Sequence, residues 1–97
     1  MSVIRSRIAG VGAALPKKIL TNAEVAKKVD TSHEWILQRT GISQRYVAGE
    51  DEKTSDLALH AASAALAHAK VGVEEVDAII LATTTPDEVF PSTATRV

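Results

Sequence analysis

The side chains of this chain best suited to holding a ligand are Thr31, Trp35 and Arg39. They sit in the run Asp30-Thr31-Ser32-His33-Glu34-Trp35-Ile36-Leu37-Gln38-Arg39-Thr40-Gly41-Ile42. Residues four apart share one face of a helix, so the spacing predicts a hydroxyl, a flat aromatic plate and a guanidinium along one edge. A nucleotide needs those three things: a hydrogen-bonding partner, a surface to stack on and a counter-charge for phosphate. The chain has no Cys, so these residues hold no thiolate nucleophile, disulfide or thiolate metal site. The pattern is that of the front portion of a larger enzyme, with part of a substrate grip and none of the nucleophile.

Each of the three has a plainer reading. A lone Trp is more often packing than platform, but Ile36 and Leu37 are better placed for the buried side, which leaves Trp35 at its edge. Arg39 could be a solvated helix residue stacked on Trp35. Thr31 could be a helix cap alone. The remaining candidates are weaker. His60 and His68 are eight apart, so they do not form a helical metal pair, and they read as helix-surface residues; no metal site is expected. His33 belongs to a first helical turn and should face solvent. Gly10-Val11-Gly12 suggests a dinucleotide loop, but position 15 is Leu and Pro16-Lys17-Lys18 follows where a helix should begin, which excludes the motif.

The elements that must carry these residues can be read in chain order. Val3 to Val11 predicts a strand, ended by Gly10, Gly12 and Pro16. Thr21-Asn22-Ala23-Glu24 is a capping box with Leu20 and Val25 as its hydrophobic staple, opening a short helix to about Val29. Thr31-Ser32-His33-Glu34 is a second capping box, and Gly41 is a fitting stop for the helix it opens. Ser43 to Val47 is a short strand candidate and Ala48 to Lys53 a polar loop. Thr54 is expected to cap a third helix, with Asp56 in its first turn, running to about Lys70 and ended by Gly72. Its Ala58, Ala61, Ala62, Ala65 and Ala69 permit close packing on a neighbour. Ala78 to Thr84 is the clearest strand, apolar without alternation, as in the middle of a parallel sheet. Phe90-Pro91-Ser92 then leads into a helix start at Thr93 to Val97.

Composition bounds the function. Ninety-seven residues allow one small domain at most. Hydrophobic content of 45% excludes a disordered chain, and a net charge of -1 gives no case for nucleic acid or an anionic membrane. Arg5, Arg7 and Ile8 to Leu15 imitate a signal peptide, but the apolar stretch is short, holds two Gly and is flanked by Lys17 and Lys18. No run approaches the ~18 apolar residues of a membrane span. A cytoplasmic protein is expected.

The Asp30–Ile42 run closely resembles the amino-terminal signature of the 3-oxoacyl-(acyl-carrier-protein) synthase III family, initiating condensing enzymes of bacterial fatty-acid synthesis with a thiolase-like fold. Arg7-Ile8-Ala9-Gly10-Val11-Gly12 to Leu15-Pro16 is similar to the family's first strand. Ile80-Leu81-Ala82-Thr83-Thr84-Thr85 and Phe90-Pro91-Ser92 are similar to its second strand and the segment beyond it. The resemblance covers nearly all 97 residues in order.

This resemblance implies an α/β, thiolase-like fold, of which residues 1–97 form an amino-terminal part: an incomplete, mostly parallel or mixed sheet with flanking helices. It implies an acyltransferase. An active-site Cys takes an acyl group from acyl-CoA; malonyl-acyl-carrier protein is then decarboxylated and attacks the acyl-enzyme, with a His and an Asn assisting. Those three residues lie beyond position 97, so no catalytic residue is expected here and the chain alone is expected to be inactive. The resemblance places Trp35 on the CoA adenine, Thr31 beside it and Arg39 near the CoA phosphates. It places Thr84 beside the acyl pocket, where a strand-ending residue is the plainer reading. It places Phe90 across a homodimer interface as a wall of the partner's pocket, where core filling is the default. Acyl-CoA enters as substrate, so no cofactor is implied. The rivals are another thiolase-fold condensing enzyme, such as a hydroxymethylglutaryl-CoA synthase or a secondary-metabolite synthase, and a non-catalytic CoA-binding or interaction module.

Overall fold

A computed structural model describes residues 2–97. The chain divides into two compact units, Leu15–Glu52 and residues 2–14 together with Lys53–Val97.

Leu15–Glu52 holds the one sheet among the described residues. Strand β1 (Lys18–Thr21) pairs antiparallel with β2 (Gln44–Val47), and Leu20 lies opposite Arg45. Helix α1 (Asn22–Ala26) begins directly at the end of β1. Its predicted capping box is present: the Thr21 hydroxyl accepts from the Glu24 N–H at 3.3 Å, and the Glu24 carboxylate accepts from the Thr21 N–H at 3.0 Å. The helix is shorter than the expected run to Val29, which continues only as turns. Asn22 ties the unit together from a fully buried position. Its N–H donates to the Ser43 carbonyl at 3.1 Å, its amide NH2 to the Ile42 carbonyl at 2.7 Å, and its side-chain oxygen accepts from Arg45 at 2.9 Å. A buried amide is tolerated when its donors and acceptor are paired in this way.

Helix α2 (His33–Thr40) starts one residue later than the sequence pattern suggested. Ser32, not Thr31, is the cap, its hydroxyl accepting from the Trp35 N–H at 3.1 Å. With Ser32 as cap the third helical residue is Trp35, which cannot reach back, so the predicted second capping box is a one-sided cap. Gly41 ends the helix as expected, at φ 72° with its N–H donating to Leu37. The helix turns Ile36 inward, the one buried hydrophobic residue among the described residues.

In the second unit, α3 (Thr54–Ala69) carries the predicted alanine side. The glycines that imitated a nucleotide loop explain that side. A Cβ on Gly10 would stand 2.6 Å from the Ala65 carbonyl oxygen and 2.8 Å from the Ala69 methyl; one on Gly12 would collide with Ala61 and stand 2.9 Å from the Ala64 methyl. Glycine is required because the two backbones touch. The capping residue of α3 is Lys53, not Thr54, and the Asp56 carboxylate accepts from the Lys53 N–H at 2.9 Å. Lys70, not Gly72, takes the left-handed position at the helix end, with φ 58°. Gly72 instead precedes a short 3-10 turn, Val73–Glu75, and a second such turn spans Thr93–Arg96.

The two apolar stretches expected as parallel strands, Val3–Val11 and Ala78–Thr84, form no ladder, and the sheet that exists is antiparallel. A strand is held by its neighbours' backbone groups, and no such neighbours exist among the described residues. The Val11 N–H turns instead to the Nδ1 of His68 at 3.0 Å. His68 is exposed on the helix, as expected, and its Nδ1 also accepts a backbone bond. Ile80, expected inside, is 96% exposed. The α/β class holds; the pairing that would make it a parallel sheet is missing.

Candidate functional site

The unit Leu15–Glu52 contains an open concavity of about 730 Å³. Val25, Val29 and Ile36 give it apolar walls, and Thr31, Trp35 and Arg45 bring polar or aromatic groups to it. The short turn after α1 supplies Thr31; the first and second turns of α2 supply Trp35 and Ile36. Because the helix begins at His33, Thr31 does not share a helical face with Trp35 and Arg39 as the spacing predicted. The hollow brings Thr31 and Trp35 together all the same.

The Thr31 hydroxyl oxygen is buried and has no hydrogen-bond partner among the described residues. An unpaired buried hydroxyl costs free energy, and the cap role that could have paired it belongs to Ser32. Trp35 is half-exposed, at 54%. The Arg39 guanidinium lies over its ring, 5.3 Å from the centroid. That is the i to i+4 geometry of one helix face and a cation–π contact. Arg39 itself is exposed and does not line the concavity, so its charge remains available at the rim.

Arg45 was not singled out from the sequence. Its guanidinium is steered by Asn22 at 2.9 Å and the Leu20 carbonyl at 3.5 Å. Those bonds use two of its five N–H donors and hold a second cation against the hollow. The signal was present but faint: an Arg in a strand directly opposite Leu20, and an Asn immediately after a capping Thr. Together the concavity offers an aromatic face, a buried unpaired hydroxyl and the Arg45 guanidinium, with Arg39 at its rim.

Thr84 and Phe90 belong to the other unit, and both are exposed; Phe90 is 86% exposed. Neither lines that unit's apolar hollow along α3, which Ile8, Leu59, Leu66 and Ile79 help to form. The loop that carries Phe90 is fixed at its base by residues the sequence did not reveal. The Asp87 carboxylate accepts from both the N–H and the hydroxyl of Ser55, and the Asp87 N–H donates to Thr93 Oγ1 at 3.1 Å. The Ser55 hydroxyl and N–H hold the Asp87 carboxyl below its ordinary value against the opposing effect of burial, with lesser help from Lys53 and Arg96. Among the described residues no group of three or more His, Asp or Glu could hold a metal ion, and no helix is long and apolar enough to cross a membrane.

The chain is similar to known proteins along nearly its whole length. The beta-ketoacyl-[acyl-carrier-protein] synthase III of Rhodospirillum centenum is 58% identical over 94 residues, 97% of this chain and 29% of that protein. The crystal structure of 3-oxoacyl-[acyl-carrier-protein] synthase III from Aquifex aeolicus superposes with a TM-score of 0.84 at 52% identity, covering 91% of this chain and 28% of that one. The priming beta-ketosynthase of the R1128 polyketide pathway superposes with a TM-score of 0.69 at 35% identity, over 82% of this chain and 26% of that one. No family model matches. The chain spans about 30% of the length of the curated relatives it matches. It is homologous to that segment of the synthase III proteins along nearly all its residues, and its α/β fold is part of theirs, the thiolase-like fold.

Proposed function

We propose that this chain is the amino-terminal, CoA-gripping part of an initiating condensing enzyme of fatty-acid synthesis. The reaction joins acyl-CoA and malonyl-acyl-carrier protein to give 3-oxoacyl-acyl-carrier protein, CoA and CO2. The single observation that carries the reading is the hollow of Leu15–Glu52, where an unpaired Thr31 hydroxyl and the half-exposed Trp35 ring meet beside Arg39. An adenine stacks on the indole, Thr31 gains the hydrogen bond it lacks, and Arg39 meets phosphate. Arg45 adds a second cation to the same wall.

Thr84 and Phe90 serve the acyl end, with Phe90 reaching the pocket of a partner subunit in a homodimer. The complete enzyme works in the cytoplasm and needs no cofactor, since acyl-CoA is a substrate. The nucleophilic Cys and its His and Asn partners belong to other parts of that enzyme, and covalent catalysis requires them. Identity of 40–52% to solved synthase III structures and 53–58% to curated synthase III relatives, against 35% to the polyketide priming synthase, favours fatty-acid initiation over a secondary-metabolite role.

The test is a condensation assay with acyl-CoA and malonyl-acyl-carrier protein. The longer protein that carries this segment is expected to release CoA and CO2 and to form 3-oxoacyl-acyl-carrier protein; the 97 residues alone are expected to form none. Product formed by the 97-residue chain would refute the division of labour. No product from the longer protein would refute the activity.

A further inference from the structure

We infer that Asp87 is a positioning residue: it sets the Phe90 tip of the 85–93 loop and thereby the length of acyl chain accepted. The inference rests on the reading of Phe90 as an acyl-pocket wall.

The loop is held at its feet and free at its tip. At one foot, the two Asp87 oxygens accept from Ser55, one from the N–H at 2.9 Å and the other from the hydroxyl. The Thr54 hydroxyl donates to the Thr85 carbonyl beside it. At the other foot, the Asp87 N–H donates to Thr93 Oγ1 at 3.1 Å. Both Ser55 and Thr93 are buried, at 8% and 4% exposure, so the anchors do not yield to solvent. Between the feet, Val89 is fully exposed and Phe90 nearly so.

Within this chain nothing packs on the tip, so its base directs where it reaches. A carboxylate that accepts two bonds from one residue fixes direction as well as distance. The Glu88–Arg96 ion pair at 2.9 Å also spans this segment, but its partners are more than two-fifths exposed, and such surface pairs contribute little. Asp87 is the group on which both feet converge.

The experiment uses the longer protein and compares kcat/KM for a long and a short acyl-CoA. The variants are Asp87→Ala, Asp87→Asn, Phe90→Thr and the double variant Asp87→Ala/Phe90→Thr. A displacement of about 1 Å in a positioned group can change rates by up to ~10²-fold. Asp87→Ala is therefore expected to raise the long-to-short ratio about tenfold. Asp87→Asn should do so less, because Asn keeps an acceptor for the Ser55 N–H. In the Phe90→Thr background Asp87→Ala should add nothing, as expected of two residues acting through one element.

A ratio unchanged by Asp87→Ala while Phe90→Thr shifts it would overturn the positioning role alone. Full additivity in the double variant would do the same. A silent Phe90→Thr would overturn the pocket reading and the inference with it. Should Asp87→Ala fail to fold, Asp87→Asn and Ser55→Ala carry the comparison.

Discussion

The two units of this chain are built on opposite terms. Leu15–Glu52 finds backbone partners within itself: β1 pairs with β2, Thr21 and Ser32 cap its helices, and the buried Asn22 satisfies its donors and acceptor within the unit. Residues 2–14 and Lys53–Val97 leave Ile4, Ile80 and Val89 almost fully exposed and two apolar stretches without a ladder. The unit with settled local structure is the one that holds the Thr31–Trp35 hollow. A ligand grip needs its side chains held to within a fraction of an ångström, and short-range caps and a two-stranded antiparallel sheet can do that. A parallel strand depends on partners at least a crossover away in sequence, and Val3–Val11 and Ala78–Thr84 have no ladder among the described residues.

That contrast can be broken by mutation, and the largest effect is expected at Gly12. Gly12→Ala drives a methyl into the backbone of α3 at Ala61 and Ala65. Overpacking against atoms that cannot swing aside should cost about 3 kcal/mol or more. Gly49→Ala, in the other unit, meets only the Glu52 side chain at 3.5 Å and should stay within about 0.5 kcal/mol of neutral. Thermal unfolding of the longer protein checks both, and equal shifts would remove the distinction between the units.

Asn22→Ala comes next. It strands the part-buried Ile42 carbonyl and removes the shorter of the two Arg45 bonds, and a group left unpaired on burial costs roughly 1–3 kcal/mol. Because Arg45 lines the hollow, acyl-CoA binding should weaken along with stability. Denaturant unfolding beside a KM measurement tests this; a loss of stability with KM unmoved would show that Arg45 does not face the ligand.

The smallest and most discriminating pair is Ser32→Ala and Thr31→Val. Loss of the Ser32 cap should cost about 1 kcal/mol and leave the nucleotide contact intact. Thr31→Val removes a hydroxyl that has no partner, so stability should hold or rise slightly while acyl-CoA affinity falls. The reverse pattern would return Thr31 to the cap.

Local chemistry was the legible part of this sequence. The Thr21–Glu24 box and the Gly41 stop depend on residues within a few positions of one another. Caps misplaced by one residue, Ser32 for Thr31 and Lys53 for Thr54, differ from the expected ones by the choice between adjacent candidates, which backbone angles decide and residue type does not. The clasp of Asp87 on Ser55 spans 32 positions, and the Val11–His68 bond spans 57; no spacing rule reaches that far. Ala78–Thr84 was read as buried because its composition is that of a central strand, and composition does not say whether the partners are at hand. The Trp35–Arg39 edge was legible because both residues share one helix.

The account stands most directly on Trp35. In the longer protein, Trp35→Ala should raise the KM for acyl-CoA about tenfold or more, since base–aromatic stacking contributes roughly 1–3 kcal/mol per base. The KM for an acyl-pantetheine thioester, which carries no nucleotide, should stay where it is. If instead both substrates weaken equally, or the melting temperature falls while neither KM moves, Trp35 is packing and the hollow of Leu15–Glu52 is not the nucleotide grip.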